Sequence, residues 1–453
     1  MSNGSVDVLA APPTAGAYSF RVRPRYAFAT IALASAVALA ARPGLDATLE
    51  SGPAASPVRL LGVASDGGAR WLVRVGPVSL RPLPGRRVRL GAPLEAWALS
   101  PGGSRLAAVS DRASVLDLID VNRMRTLARV RTRARGSPAA VVWPRPDRLW
   151  IVLARPGCCA AGSTTVVAVD PIAERIVARR RLAGGLVRVA ESPEGPVLLL
   201  APPAMIGPAR LVTVDAAGAV EQLRLDGVSA GEMPTQVVPS VERGRTPALA
   251  VDSGRRRAYV LSSRPHAVEI DLRRGSVSDH RLAARPSLLD RLQELLEPSA
   301  EASAQVGPVR RAAWIGEGRI ALSGYDADVV WRPHGAVEAE RRPAGLHVID
   351  TRDWSVRTLD EQASSFVAAA GLLLTSGPGG RGLAAYSPDG RDTLHVLDDR
   401  HVEVVATAGS LAYVRTPPEP ALQVVDLARG RVVGTSAPGR ATLLLERVAA
   451  GWE

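Results

Sequence analysis

The chain has 453 residues, 46 % of them hydrophobic and 22 % charged, a globular composition; its 42 Gly and 36 Pro follow no collagen period and ask instead for many turns between short strands. The net charge of +12 rests on arginine alone, because the chain contains no lysine. Those arginines are scattered, with local clusters at Arg86-Arg87, Arg179 to Arg181 and Arg255 to Arg257, and there is no basic helix, zinc-finger spacing or paired aromatic stripe, so specific nucleic-acid recognition is not expected.

Residues 1–25 read as a disordered, basic N-terminal region: Met1 to Phe20 are small, polar and Pro/Gly-containing, and nothing in them predicts a packed element. Arg21, Arg23 and Arg25 then precede an uncharged run, Tyr26 to Ala41, which predicts a signal peptide or a membrane anchor helix over residues 26–41. Ala38-Leu39-Ala40 supplies a small-x-small cleavage pattern, whereas the long region ahead of the run favours an uncleaved anchor. Either way the arginines stay cytoplasmic and the remainder is expected outside the cytoplasm; the alternative is a buried Ala-rich helix of a cytoplasmic protein. Residues 42–57 read as a linker.

From Val58 onward the signal is short β-rich strings separated by Gly, Pro, Asp and Ser. One phrase recurs: a strand ending in Asp, a polar turn, then another strand. Its copies end at Asp120, Asp170, Asp215, Asp271, Asp350 and Asp426, where the carboxylate is expected to accept backbone amides of the turn and needs no catalytic role. The first four copies are spaced by 50, 45 and 56 residues, near the length of one four-stranded propeller blade. A four-stranded sheet cannot bury both faces alone, but radial stacking lets neighbours cover one another.

Counting units gives residues 58–90, 94–130, 139–183, 186–226, 247–283, 309–360, 364–398 and 401–436. The fold class predicted is therefore an all-β propeller of four-stranded blades over residues 58–446, with eight blades counted and seven as the alternative. The string Ala441 to Glu446 is expected to pair with the first blade and close the ring, leaving residues 447–453 as a tail.

Three segments interrupt this pattern. Cys158 and Cys159, the only cysteines, sit in a loop between two strands; they fit neither a disulfide framework nor a CxxC motif, and read as two loop thiols or a vicinal disulfide. Ser287 to Glu297 carries a leucine stripe at helical spacing ended by Pro298, and reads as a helix over a propeller face or a partner-docking helix. Ser323 to Gly335 lengthens the sixth unit; its Tyr325, Asp326, Asp328, Trp331 and His334 form a candidate binding surface, or cap the blade.

The chain resembles propellers built from YVTN-type repeats and the related TolB repeats, whose units carry a Ser-Pro-Asp-Gly turn and then a strand ending Ile-Asp. The matching turns are Ser100-Pro101-Gly102-Gly103, Ser192-Pro193-Glu194-Gly195 and Ser387-Pro388-Asp389-Gly390, the last following either a first or a third strand. The resemblance implies architecture rather than activity. The six histidines (His266, His280, His334, His347, His395 and His401) fall in different hairpins without metal-ligand spacing, and no catalytic residue, metal or cofactor is assigned. The function expected is a binding or scaffold module that presents loops to a protein or cell-envelope partner. The alternative is a lactonase-like hydrolase or an oxidoreductase-associated propeller with an axial site.

Overall fold

The computed structural model describes residues 60–66, 69–110, 115–155, 162–203, 206–234, 242–262, 266–282, 305–331, 337–376, 381–417, 421–436 and 444–450. The leader over 26–41, the helix over 287–297, the Cys158-Cys159 pair and His334 lie outside the described residues.

Eight antiparallel sheets form eight blades. Blade 2 shows the plan: Leu94–Leu99, Arg105–Ser110, Val115–Asp120 and Arg125–Arg131 pair in chain order. Blade 3 repeats it with Ser137–Arg145, Arg148–Arg155, Ser163–Asp170 and Arg175–Ala183. Blade 4 has Leu186–Glu191, Pro196–Leu200, Gly207–Val214 and Val220–Pro234. In blade 5 the strands are Ala248–Asp252, Arg257–Leu261, His266–Asp271 and Ser276–Arg281. Blade 6 uses Gln305–Trp314, Arg319–Trp331, Leu346–Asp350 and Val356–Asp360. Blade 7 follows with Ser365–Ala369, Leu372–Ser376, Leu383–Tyr386 and Asp392–Val396, and blade 8 with Glu403–Ala408, Leu411–Arg415, Leu422–Asp426 and Arg431–Thr435.

Blade 1 is assembled from both ends of the described chain. Leu444–Ala450 is its first strand, followed by Leu60–Asp66, Ala69–Val75 and Val88–Leu90, with Leu60 opposite Ala450 and Ser65 opposite Leu444. The closing strand thus runs to Ala450, past the expected end at residue 446, because its length is set by pairing with Leu60–Asp66.

The core lies between sheets. Eight buried clusters occupy the eight seams, from blades 1 and 2 around to blades 8 and 1. Strand alternation explains how one strand serves two seams: Leu106 and Ala108 face blade 1, whereas Ala107 and Val109 face blade 3. This is also why Pro196–Leu200 is continuously apolar, with Leu198 and Leu200 in one seam and Val197 and Leu199 in the next. Fourth strands form the rim and are rich in exposed charge, as in Arg175–Ala183.

Antiparallel pairing puts the connections between first and second strands, and between third and fourth, at one end of every blade. This end is called the turn face. Connections between second and third strands, and from each fourth strand to the next blade, open on the opposite end, the loop face.

The turn face is regular. All six motif aspartates end third strands or directly follow them, so all lie on it. Asp170 Oδ1 accepts the amides of Ile172 and Ala173 at 2.9 and 2.8 Å, Asp271 those of Arg273 and Arg274 at 2.8 and 3.1 Å, and Asp426 those of Ala428 and Arg429 at 3.0 and 3.1 Å. Asp120, Asp215 and Asp350 accept the amides of Arg123, Ala217 and Arg352 in the same way. The Ala173 amide foremost, helped by Ile172, holds the Asp170 carboxyl below its ordinary pKa. In five of these turns the residue four positions on is left-handed: Met124, Glu174, Gly275, Trp354 and Gly430. Ser387-Pro388-Asp389-Gly390 follows the third strand of blade 7, so it too is a third-to-fourth turn.

Candidate functional site

Among the described residues the loop face is irregular, with elaborations from blades 4 and 6. In blade 6 the second strand pairs with the third only from Arg319↔Asp350 to Leu322↔His347. Beyond that it takes a new partner, Val337–Pro343, from Tyr325↔Pro343 to Trp331↔Val337, which makes a hairpin standing on the blade. The change of partner happens at Gly324. A Cβ there would lie 2.0 Å from the Val309 carbonyl oxygen, so only glycine lets the first strand approach this closely. The first strand follows the extension, from Trp314↔Ile320 out to Gln305↔Asp328.

In blade 4 the fourth strand runs past its partner and pairs with Glu242–Arg245, from Gly231↔Arg245 to Pro234↔Glu242. The two extensions meet just ahead of the first strand of blade 5. There the Thr246 amide donates to the Pro308 carbonyl at 3.0 Å, and the Arg310 amide donates to the Thr246 carbonyl at 2.8 Å.

Charged side chains gather at this junction. Arg188, on the first strand of blade 4, reaches across to blade 6 and donates through Nη2 to the Arg310 carbonyl at 2.6 Å, while Nη1 donates to the Val187 carbonyl at 2.8 Å. Its Nε is buried without a partner. Arg310 is 9 % exposed; it donates to the Tyr325 carbonyl at 3.0 Å and pairs with Asp326 at 2.8 Å. Arg311 alternates to the other face of the strand and is in register with Ser323. Arg341 lies over the Tyr325 ring, 5.0 Å from its centroid.

Burial lowers the Arg188 guanidinium to about 9, with the Arg311 charge as a further cause and the Tyr325 phenol opposing it; burial likewise lowers Arg311. At about 9, the Arg188 guanidinium remains cationic at neutral pH. Farther along the same first strand of blade 4, burial alone pushes the Glu191 carboxyl up to about 7.

Of the residues singled out in the sequence, Tyr325 and Asp326 belong to this junction. Asp328 and Trp331 fall on the same hairpin strand, farther out. Arg188, Arg310, Arg311 and Arg341 were not singled out. The only local signal was Val187-Arg188-Val189, an arginine between apolar neighbours in a first strand.

The clusters that were singled out are used structurally. On the turn face, Arg256 pairs with Glu194 and Arg257 with Glu269, both at 2.5 Å. Arg179 and Arg180 donate to the carbonyls of Thr132 and Gly218, and Arg87 lies 4.2 Å from the Trp71 ring centroid. His280 stacks on Trp354 at 3.9 Å with Nε2 3.1 Å from Glu269, and His347 contacts the Ala344 carbonyl and the Thr358 hydroxyl. Among the described residues, no group of three His, Cys, Asp or Glu side chains is placed to hold a metal ion, and no helix is long and apolar enough to cross a membrane.

No protein-family model matches the chain, and no curated protein matches it. Solved structures do. The dihydro-heme d1 dehydrogenase NirN, solved in complex with DHE, superposes with a TM-score of 0.51 at 15 % identity, covering 98 % of this chain and 82 % of that one. Looser superpositions include apo AztD from Citrobacter koseri (TM-score 0.46, 13 % identity, 87 % and 97 % covered) and BamB from Moraxella catarrhalis (0.44, 10 %, 78 % and 92 %). The likeness to NirN is one of fold.

Proposed function

We propose that this propeller is a binding or scaffold module working outside the cytoplasm, and that it meets a protein or cell-envelope partner through its loop face. The observation that carries this reading is the joined extension of blades 4 and 6. It adds strands beyond what the blades need and presents Tyr325 and Arg341 on a rigid base. We read the repeats as YVTN- or TolB-type on the strength of the Ser-Pro-x-Gly turns and the Asp-ended strands. The extracytoplasmic location rests on Arg21, Arg23 and Arg25 ahead of Tyr26 to Ala41.

Two experiments test this. A photo-cross-linking side chain at position 325 is expected to capture a partner in the cells that make the protein, whereas one at Ala217, in a turn-face hairpin, is not; capture from Ala217 alone contradicts the assignment of the face. Fractionation with N-terminal sequencing tests the location. A mature terminus near Ala41 indicates a cleaved signal, membrane-bound full-length chain indicates an anchor, and full-length protein in the soluble cytosol contradicts export.

A further inference from the structure

The inner rim of the loop face concentrates positive charge that the described structure does not neutralise. Arg310 has Asp326. Among the described residues Arg188 has only carbonyl oxygens, and neither Arg311 nor Arg341 has a carboxylate partner. Holding three guanidinium groups together without a counter-ion is costly, the more so where they are shielded from water. A structure that was merely filling space would place apolar side chains here, as the neighbouring positions Val187 and Val189 do.

Register sharpens this. On the extended sheet, Arg311, Ser323, Tyr325 and Arg341 share one face, whereas Arg310, Gly324 and Asp326 share the other. The uncompensated arginines are therefore segregated from the Arg310–Asp326 pair. Ser323 is 1 % exposed, and its hydroxyl has no partner. An unspent hydroxyl, an unspent guanidinium Nε and three unpaired cations bordering one tyrosine are complementary to a single kind of ligand: an oxyanion, which accepts hydrogen bonds and supplies the missing charge.

We propose that the inner rim between the first strand of blade 4 and the extended hairpin of blade 6 binds a small solute bearing carboxylate or phosphate groups. Arg188 and Arg311 supply its charge, and Tyr325 and Arg341 form its outer wall. This site deepens the binding-module reading and rests on the loop face being the working face.

The test is calorimetric titration of the full chain with citrate and, separately, with tripolyphosphate at constant ionic strength. Saturable binding of one equivalent of either anion is expected, and the anion that binds more tightly identifies the carboxylate or the phosphate source. Arg188→Gln and Arg311→Gln should each weaken binding about tenfold or more, while Arg431→Gln, on the exposed rim of blade 8, should change it by less than about twofold. If either half-buried variant fails to fold, Arg341→Gln at the exposed wall position serves instead, with a weakening of about threefold expected. Absence of saturable binding for both anions overturns the proposal, as does an equal loss in Arg431→Gln, which would indicate diffuse surface charge. The two readings fail separately: anion binding without a cross-link from position 325 sinks the partner reading and keeps the site, and a cross-link without anion binding does the reverse.

Discussion

The two ends of the blades are built by different rules. On the turn face, one local device recurs around the ring, a carboxylate that accepts the amides of its own turn, and Arg255, Arg256 and Arg257 there are matched by Asp252, Glu194 and Glu269. On the loop face, strands change partners, two blades share an extension, and among the described residues three arginines stand without acids. A repeat can conserve its hairpins by local chemistry on one side and vary freely on the other, because the seams that hold the ring are independent of both.

That separation can be attacked from the largest expected effect to the smallest. Trp150 is fully buried in the seam between blades 3 and 4. Trp150→Ala should cost about 3–5 kcal/mol in chemical denaturation, harming both faces alike.

Glu191 comes next. Its folded pKa, about 7, lies above the ordinary 4.5, so its stabilising contribution is complete below pH 4.5 and is lost as pH rises through 7. Wild type should lose at most about 3 kcal/mol across that window, and Glu191→Gln should flatten the pH profile of the melting temperature.

Asp170→Ala removes a turn cap and should cost about 1 kcal/mol without changing anion binding. Because the Asp170 pKa is depressed in the folded state, the stability it contributes is present at neutral pH and lost as pH falls through that lowered value. Arg256→Ala breaks a half-exposed pair with Glu194 and should change stability by less than about 1 kcal/mol. A large effect of Asp170→Ala or Arg256→Ala on anion binding would break the distinction between the faces.

What was legible in the sequence follows the same division. The Asp-ended strand is a local motif, so its copies and the count of eight blades could be read from residues alone. Ser-Pro-x-Gly is equally local, and for that reason it cannot tell which strand precedes it; Ser192 follows a first strand and Ser387 a third. The last strand runs to Ala450 because Leu60, nearly four hundred residues away, is its partner. The length of the blade-6 interruption was visible, but its pairing depends on Gly324 and on contact with Thr246 from another blade. Arg188 and Arg311 were hidden among 56 arginines, since only the fold shows which of them lack an acid.

The most direct test of the division between the faces is amide hydrogen exchange of the full chain with and without citrate or tripolyphosphate. Protection is predicted in residues 186–189, 307–311 and 323–327 on the loop-face side, with none in the turns following Asp120, Asp170 and Asp215. Protection confined to those turns, or no protection in either region, would contradict it.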